Sequence, residues 1–441
     1  MARSRSRRQL AIWMNGQPVG DWTLESDGTQ ALRYRDSWRQ SELSRPLSLS
    51  LPFTRENTLR GPVVESFFDN LLPDSRLIRQ RIQTRYRAAS GRAFDLLAEI
   101  GRDCVGAVQL MPDDEAPDGF DRIEGELLSD GGVEAILRDV AVVDQGGEAG
   151  DFRISLAGAQ EKTALLRHEN RWYLPHGSTP TTHIFKLPMG RVGPFQADFA
   201  TSCENEWLSA QIAAALGLNV ATCELGFFGH QKALIVERFD RQMAGDQSHW
   251  LRLPQEDMCQ AMGMPPSLKY EADGGPGMRD IMRLLVGSTN PAMDRDAFFR
   301  TQVVFWMLCA PDGHAKNFSL SLGRGGRFHL TPIYDVLSAY PVMGKGAGKW
   351  APEKVKMAMA AIGSNRHYLW KRILPRHWLS TAHACGLGEE RARSIIHDLV
   401  AMTDHALNDV SQSIPKDFPR QVHEPIMEGV RTASRLLRSG I

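Results

Sequence analysis

The apolar helix FFRTQVVFWMLCA, residues 298–310, runs straight into the polar loop Ala310-Pro-Asp-Gly-His-Ala-Lys-Asn317-Phe-Ser. The loop offers Asp312 and, five positions on, Asn317. Phosphoryl transfer needs a carboxylate to accept the acceptor hydroxyl's proton and an amide oxygen to hold a metal, and D-x-x-x-x-N is the kinase catalytic-loop spacing. Oxygen ligands of this kind suit Mg²⁺, which also bridges phosphate oxygens. SLSL and FHLTPIY then read as a hairpin around Gly323, Gly325 and Gly326, ending on a second carboxylate, Asp335. Taken one at a time, Asp312 and Asp335 are also ordinary turn residues. Helix, loop and hairpin together favour function.

Upstream, Ser155-Leu-Ala157-Gly158-Ala159-Gln160-Glu161-Lys162 is a small-residue loop between strand candidates FRISL and KTALLRH. Such a loop lets backbone N–H groups approach a phosphate chain. It is neither a Walker A nor a G-x-G-x-x-G motif, and a plain tight hairpin fits it as well. Lys186 ends the apolar run THIFKLP, where a kinase strand lysine would sit over phosphates, and Glu206 on the next helix is its candidate partner. As plainer readings, Lys186 is an edge-strand lysine and Glu206 a first-turn glutamate. ALIVERFD places Glu237, Arg238 and Phe239 where a hinge would meet adenine.

Composition sets the frame. The 441 residues suffice for two or three domains; they are 42% hydrophobic and 24% charged, with 52 Lys+Arg against 52 Asp+Glu. Zero net charge argues against wholesale coating of nucleic acid. Six scattered cysteines form neither a zinc framework nor a disulfide scaffold and read as reduced, mostly buried thiols. No apolar stretch reaches the roughly 18 residues of a membrane span. The basic start lacks a signal-peptide pattern because Asn15, Gly16 and Gln17 interrupt its apolar run, so a cytoplasmic protein is expected.

The fold class expected is α+β: a two-lobed, protein-kinase-like fold. A β-rich N-terminal module spans 1–112, with an Asn-Gly hairpin near its start and helices from about Val63 to Leu97. An acidic, Pro/Gly-containing linker spans 113–150, a β-rich N-lobe with the phosphate loop 151–245, and a mainly helical C-lobe 246–441.

These residues, with strings such as WMNGQPVG, FFDNLLPDS, DFRISLAGAQEKTALL, ALIVERFDR, KYEADGGPG, DGHAKNFS and LTPIYDVLSAYPV, resemble the HipA family of bacterial toxin kinases over essentially the whole chain. The resemblance implies a serine/threonine kinase toxin using ATP and Mg²⁺, paired with a HipB-like helix-turn-helix antitoxin that represses on operator DNA. It implies an aminoacyl-tRNA synthetase, especially the glutamyl enzyme, as protein substrate, with growth arrest and persistence as consequences. Asp312 becomes the catalytic base, and Asn317 and Asp335 the metal ligands. ATP contacts fall on Ala157, Gly158, Ala159, Gln160, Glu161, Lys162, Lys186, Glu237, Arg238, Phe239, His314, Ala315, Lys316, Asn317, Tyr334 and Asp335. The family's autophosphorylated serine corresponds to Ser155. One departure is Pro311, where relatives commonly carry Thr.

Two other readings keep the fold. One is a small-molecule phosphotransferase of the aminoglycoside type, opposed by the N-terminal module and the loop serine. The other is a non-catalytic corepressor using Arg3, Arg5, Arg7 and Arg8, or the run from Arg76 to Arg87, on DNA phosphate; solvated arginines on a tail and a helix face explain these equally well.

Overall fold

The computed structural model describes residues 8–112, 115–141, 155–158, 160–193 and 196–440. Arg8–Met14 and Gln17–Leu24 pair as an antiparallel hairpin whose turn is Asn15-Gly16, both with positive φ as a type I′ turn requires. Gln30–Tyr34, Thr58–Arg60 and Gln109–Pro112 complete a five-stranded sheet. One face of it buries Ile12, Trp22 and Leu32 against Phe68 and Leu97, with Trp22 stacked on Phe68 at 3.8 Å. Those last two residues come from helices Pro62–Asp69 and Ala93–Ile100. Between them, helix Arg76–Tyr86 starts at Ser75, whose Oγ accepts the Ile78 N–H, so the Pro-Asp-Ser helix start is where expected.

The second sheet has six antiparallel strands in the order Cys223–Phe228, Gln231–Glu237, His183–Lys186, Lys162–His168, Arg171–Pro175, Gly125–Leu128. This corrects the expected linker. Gly125–Leu128 is an edge strand, and helix Asp130–Ala141 seats Val133 and Leu137 against Leu165 and Phe185. The acidic, Gly-containing stretch lacks strong periodicity, and pairing with Arg171–Pro175 decides its state. Residues 142–154 lie outside the described residues, and with them most of the strand candidate FRISL; Ser155–Ala157 are not strand.

In the C-lobe, helix Pro291–Met307 is buried nearly all round from Phe298 onward, with Thr301 and Gln302 buried among its apolar residues. Helices Glu389–Ser413 and Arg420–Gly440 share its core through Ile395, Leu399, Ile426 and Val430. Cys309 turns left-handed at φ +46° and sends the chain into the Asp312 loop. The hairpin Ser319–Leu322/Phe328–Leu330 forms as expected, and Gln255–Asp257 joins it as a third strand.

Among the described residues no helix is long and apolar enough to cross a membrane. All six cysteines are free thiols, four of them buried. Arg3, Arg5 and Arg7 lie outside the described residues. Arg8 pairs with Asp95, Arg79 with Asp69 and Arg81 with Glu161, so these three arginines serve intramolecular ion pairs.

Candidate active site

A cavity of about 810 Å³ opens between the β lobe, the helical lobe and the N-terminal module. Asp312, Asn317, Asp335 and Lys186, which are far apart in sequence, all line it. Helix Pro291–Met307 and the left-handed Cys309 deliver the loop from Asp312 to Asn317 to the cavity. Asn317 Nδ2 donates to the Asp312 carbonyl at 2.7 Å, which fixes the amide and leaves its oxygen free to accept. The Asp312 side chain is 58% exposed, and its Oδ1 accepts the Tyr270 hydroxyl at 2.6 Å. Pro311 is accommodated: the Ala310 N–H before it is bonded to Phe305, and its own carbonyl accepts the Ala358 N–H.

Asp335 sits at φ +57°, a conformation a non-glycine residue adopts at a cost of order 1–3 kcal/mol and one concentrated at functional sites. Its carboxylate meets Lys186 Nζ, which also donates to Glu206 Oε1 at 2.5 Å. Burial alone would raise the Asp335 pKa, but Lys186 and Lys162 hold it well below the usual carboxylate range. Burial would likewise lower Lys186, yet Asp335 and Glu206 raise it above an ordinary lysine. Anion and cation are therefore both charged at neutral pH. Among the described residues no three His, Cys, Asp or Glu side chains gather into a metal cage. The available donors are one carboxylate and one amide oxygen. That set fits Mg²⁺, which takes its remaining ligands from phosphate and water.

The loop expected to meet phosphate leads into Lys162, the strand neighbour of Lys186. Gly158 stands at φ +107°, a conformation that calls for glycine; the nearest atom to a Cβ there would be the Lys162 ammonium, the movable end of a long side chain. Lys162 Nζ donates to the Ala157 carbonyl at 2.7 Å. Ser155 is fully buried; its Oγ donates to the Leu71 carbonyl at 2.8 Å. Phe239 and Tyr334, one from each lobe, both line the cavity with ring centroids 5.9 Å apart. Glu237 and Arg238 line the same cavity, but the Arg238 guanidinium is committed to Asp103, Asp240 and Thr181.

Placement corrects part of the expected contact set. Ala315 is fully buried in the C-lobe core and does not line the cavity. Glu161 is turned to Arg81 on the N-terminal module and is likewise not a lining residue. Ala159 lies outside the described residues. Lys316 lines the cavity, but its ammonium is held by Asn70 and Asp257. His314 is buried, and burial lowers its pKa, so it is neutral at pH 7. Sequence reasoning missed Tyr270, Lys269, Asp74 and Asn70, all of which line the cavity. Tyr270 and Lys269 lie within KYEADGGPG, a string whose only signal was resemblance; Asn70 and Asp74 belong to a module with no catalytic pattern of its own.

The family model for the HipA-like C-terminal domain matches residues 154–407, and that for the HipA N-terminal domain matches residues 10–111. Y4mE of Sinorhizobium fredii, a protein bearing the name of a kinase, is 32% identical over 409 residues, 91% of each chain. The chain belongs to the HipA family. A further HipA-family relative, the serine/threonine-protein kinase toxin HipA of Shewanella oneidensis, is 29% identical over 350 residues, 75% of each chain. The solved complex of Shewanella oneidensis MR-1 HipA with HipB and operator DNA contains a chain that superposes with a TM-score of 0.78. It covers 97% of this chain and 96% of that one at 22% identity, so this likeness is one of fold. As a HipA-family chain it is classed with serine/threonine-protein kinases and has their mixed helix-and-strand architecture.

Proposed function

We propose that this chain is a toxin kinase that moves the γ-phosphate of ATP to a serine or threonine hydroxyl of a protein. The observation that carries the reading is the convergence of Asp312, Asn317, Asp335 and Lys186 on one interlobe cavity. Asp312 accepts the acceptor hydroxyl's proton, the freed oxygen bonds to the γ-phosphorus, and the bond to the ADP oxygen breaks. Asn317 and Asp335 would hold Mg²⁺, which when bound would neutralise phosphate charge. Lys186, fixed between two carboxylates, directs its ammonium to the phosphates. Gly158 and its neighbours present backbone to the phosphate chain, and Phe239 and Tyr334 flank the base. A protein acceptor is favoured over a small molecule because the N-terminal module walls the cavity through Asn70, Leu71 and Asp74.

The likeness to a HipA solved with HipB and operator DNA supports a HipB-like helix-turn-helix antitoxin as partner, with operator DNA reached through that complex and repression of the pair's own operon. An aminoacyl-tRNA synthetase of the glutamyl type, in the cytoplasm, is the substrate the family resemblance supports. Replacing Asp312 with Gln should cut ATP-dependent phosphorylation of protein by about 100-fold or more. Undiminished transfer by that variant, or transfer only to small-molecule acceptors, would end the reading.

Ser155 is the self-inactivating site in this proposal. A phosphate adds about −1.5 to −2 charge, and a side chain buried against the Leu71 carbonyl has no room for it. The loop must leave its seat, and the kinase stops. Wild-type enzyme should label an Asp312→Gln acceptor chain at Ser155 and leave Asp312→Gln/Ser155→Ala unlabelled; equal labelling of the two contradicts the assignment.

A further inference from the structure

Five residues of the N-terminal module, Asn70–Asp74, touch both halves of the catalytic machinery. On one side the Leu71 carbonyl accepts Ser155 Oγ at 2.8 Å and the Asp74 N–H donates to the Gly158 carbonyl at 3.0 Å. Pro73 and Gly158 are bridged in parallel like a fragment of sheet. On the other side Asn70 accepts Lys316 Nζ twice, through its backbone oxygen at 3.0 Å and its side-chain oxygen at 2.8 Å. Lys316 lies in the catalytic loop, one residue before Asn317. Asp74 Oδ2 accepts Lys269 Nζ at 2.8 Å. Lys269 in turn precedes Tyr270, the phenol bonded to Asp312, and accepts the Ala315 N–H on its carbonyl.

Asn70 is itself rigidly held. It is 1% exposed, and its amide donates to the Ser66 and Met264 carbonyls at 2.8 and 2.9 Å. A short segment whose two ends grip two different loops transmits displacement of one loop to the other, because its own backbone has little freedom to absorb it. We propose that Asn70–Asp74 is a positioning bracket for phosphoryl transfer, holding the phosphate loop and the catalytic loop in register from outside both lobes. Asn70 and Asp74 are its positioning residues; neither needs to touch the nucleotide. The proposal rests on the kinase reading above and adds to it that departure of the phosphate loop loosens the catalytic loop as well, so the two fail together.

The test uses the full-length chain with Asn70→Ala, Asp74→Ala, the conservative Asp74→Asn, and Ser155→Ala. Amide hydrogen exchange is followed without nucleotide in 155–162 and 312–318. The Asn70 side chain reaches the catalytic loop and not the phosphate loop, yet Asn70→Ala should speed exchange in both. Ser155→Ala touches only the other side and should do the same. In phosphorylation assays Asn70→Ala and Asp74→Ala should lose kcat by roughly 10- to 100-fold, the size expected when reacting groups are misplaced by about an ångström. Asp74→Asn, which keeps an acceptor for Lys269, should recover most of that loss. Exchange that rises only in the loop each variant touches, or kcat equal to wild type, overturns the bracket. Failure of the kinase reading shows separately, as a wild type no more active than Asp312→Gln, while the exchange measurement still judges the bracket. Should Asp74→Ala not fold, Asn70→Ala and Ser155→Ala carry the same comparison.

Discussion

Glu256 is fully buried where strand Gln255–Asp257 meets the N-terminal module, its Oε1 accepting the Leu49 N–H at 2.9 Å. Burial raises its pKa from 4.5 to about 8, against the smaller downward pull of the Ser48 hydroxyl and the Leu49 N–H. The folded chain therefore holds a proton here that the unfolded chain releases near pH 4.5. A pKa raised on folding contributes stability that is complete below the unfolded value and is lost as pH climbs through the folded one. Glu256→Gln should flatten the fall in stability between pH 4.5 and 8 and leave the variant more stable than wild type at pH 8, as read by urea unfolding across that range. A variant curve parallel to the wild-type curve would refute the buried-acid account. Lys186 is the contrasting case: as deeply buried, it keeps its charge because two carboxylates share it.

The catalytic loop owes its position to the helix that precedes it. Gly313 packs against the Phe305 ring two residues before the end of helix Pro291–Met307, and a Cβ there would lie 2.5 Å from the ring. Phe305 is 1% exposed within the C-lobe core, so the ring has nowhere to go. The Asp-Gly pair is therefore more than a turn signal: the glycine is needed because loop and helix approach so closely. Gly313→Ala should push Asp312 off the helix end and lower kcat by about 10- to 100-fold, at a stability cost of about 1–3 kcal/mol from overpacking. Paired kinetics and denaturant melts check this. A large stability loss with unchanged kcat per folded molecule would show that the contact is only structural.

The three parts of the molecule are joined by buried charge as well as apolar surface. Asp103 of the N-terminal module accepts from Arg241 at 2.9 Å, Arg252 at 3.2 Å and Arg238 at 3.3 Å, and Thr181 adds two more bonds. Burial would raise the Asp103 pKa, but Arg241, Arg238 and Arg252 hold it well below the carboxylate range. A pKa depressed on folding contributes stability present above the ordinary carboxylate value and lost as pH falls below it, so this junction weakens only in strong acid. Asp103→Ala would leave three buried guanidinium groups with Asp240 as their remaining carboxylate in the cluster, a loss of about 3–5 kcal/mol by analogy with broken buried ion pairs. Denaturant unfolding should register that loss, with the N-terminal module separating first under limited proteolysis. A variant as stable as wild type would mean that apolar contacts alone join the parts.

Periodicity and turn chemistry, which act over a few residues, made much of this chain legible in advance. The Asn15-Gly16 hairpin, the Ser75 helix start, the buried helix before Asp312 and the hairpin after Asn317 all follow from local pattern and spacing, whereas the Lys186–Glu206 pair joins a strand to a separate helix and was legible only by analogy with kinases. What local pattern cannot encode is which distant surface covers which. Gly125–Leu128 became a strand because Arg171–Pro175 lay open beside it, and Ala315 turned into the core although its neighbours on both sides line the cavity. The Arg238 guanidinium left the nucleotide side for a carboxylate 135 positions earlier in the chain. Asn70 and Asp74 gained their place beside the catalytic loop only when the module packed against the C-lobe, since a hydrogen bond across 246 positions leaves no periodic trace in sequence.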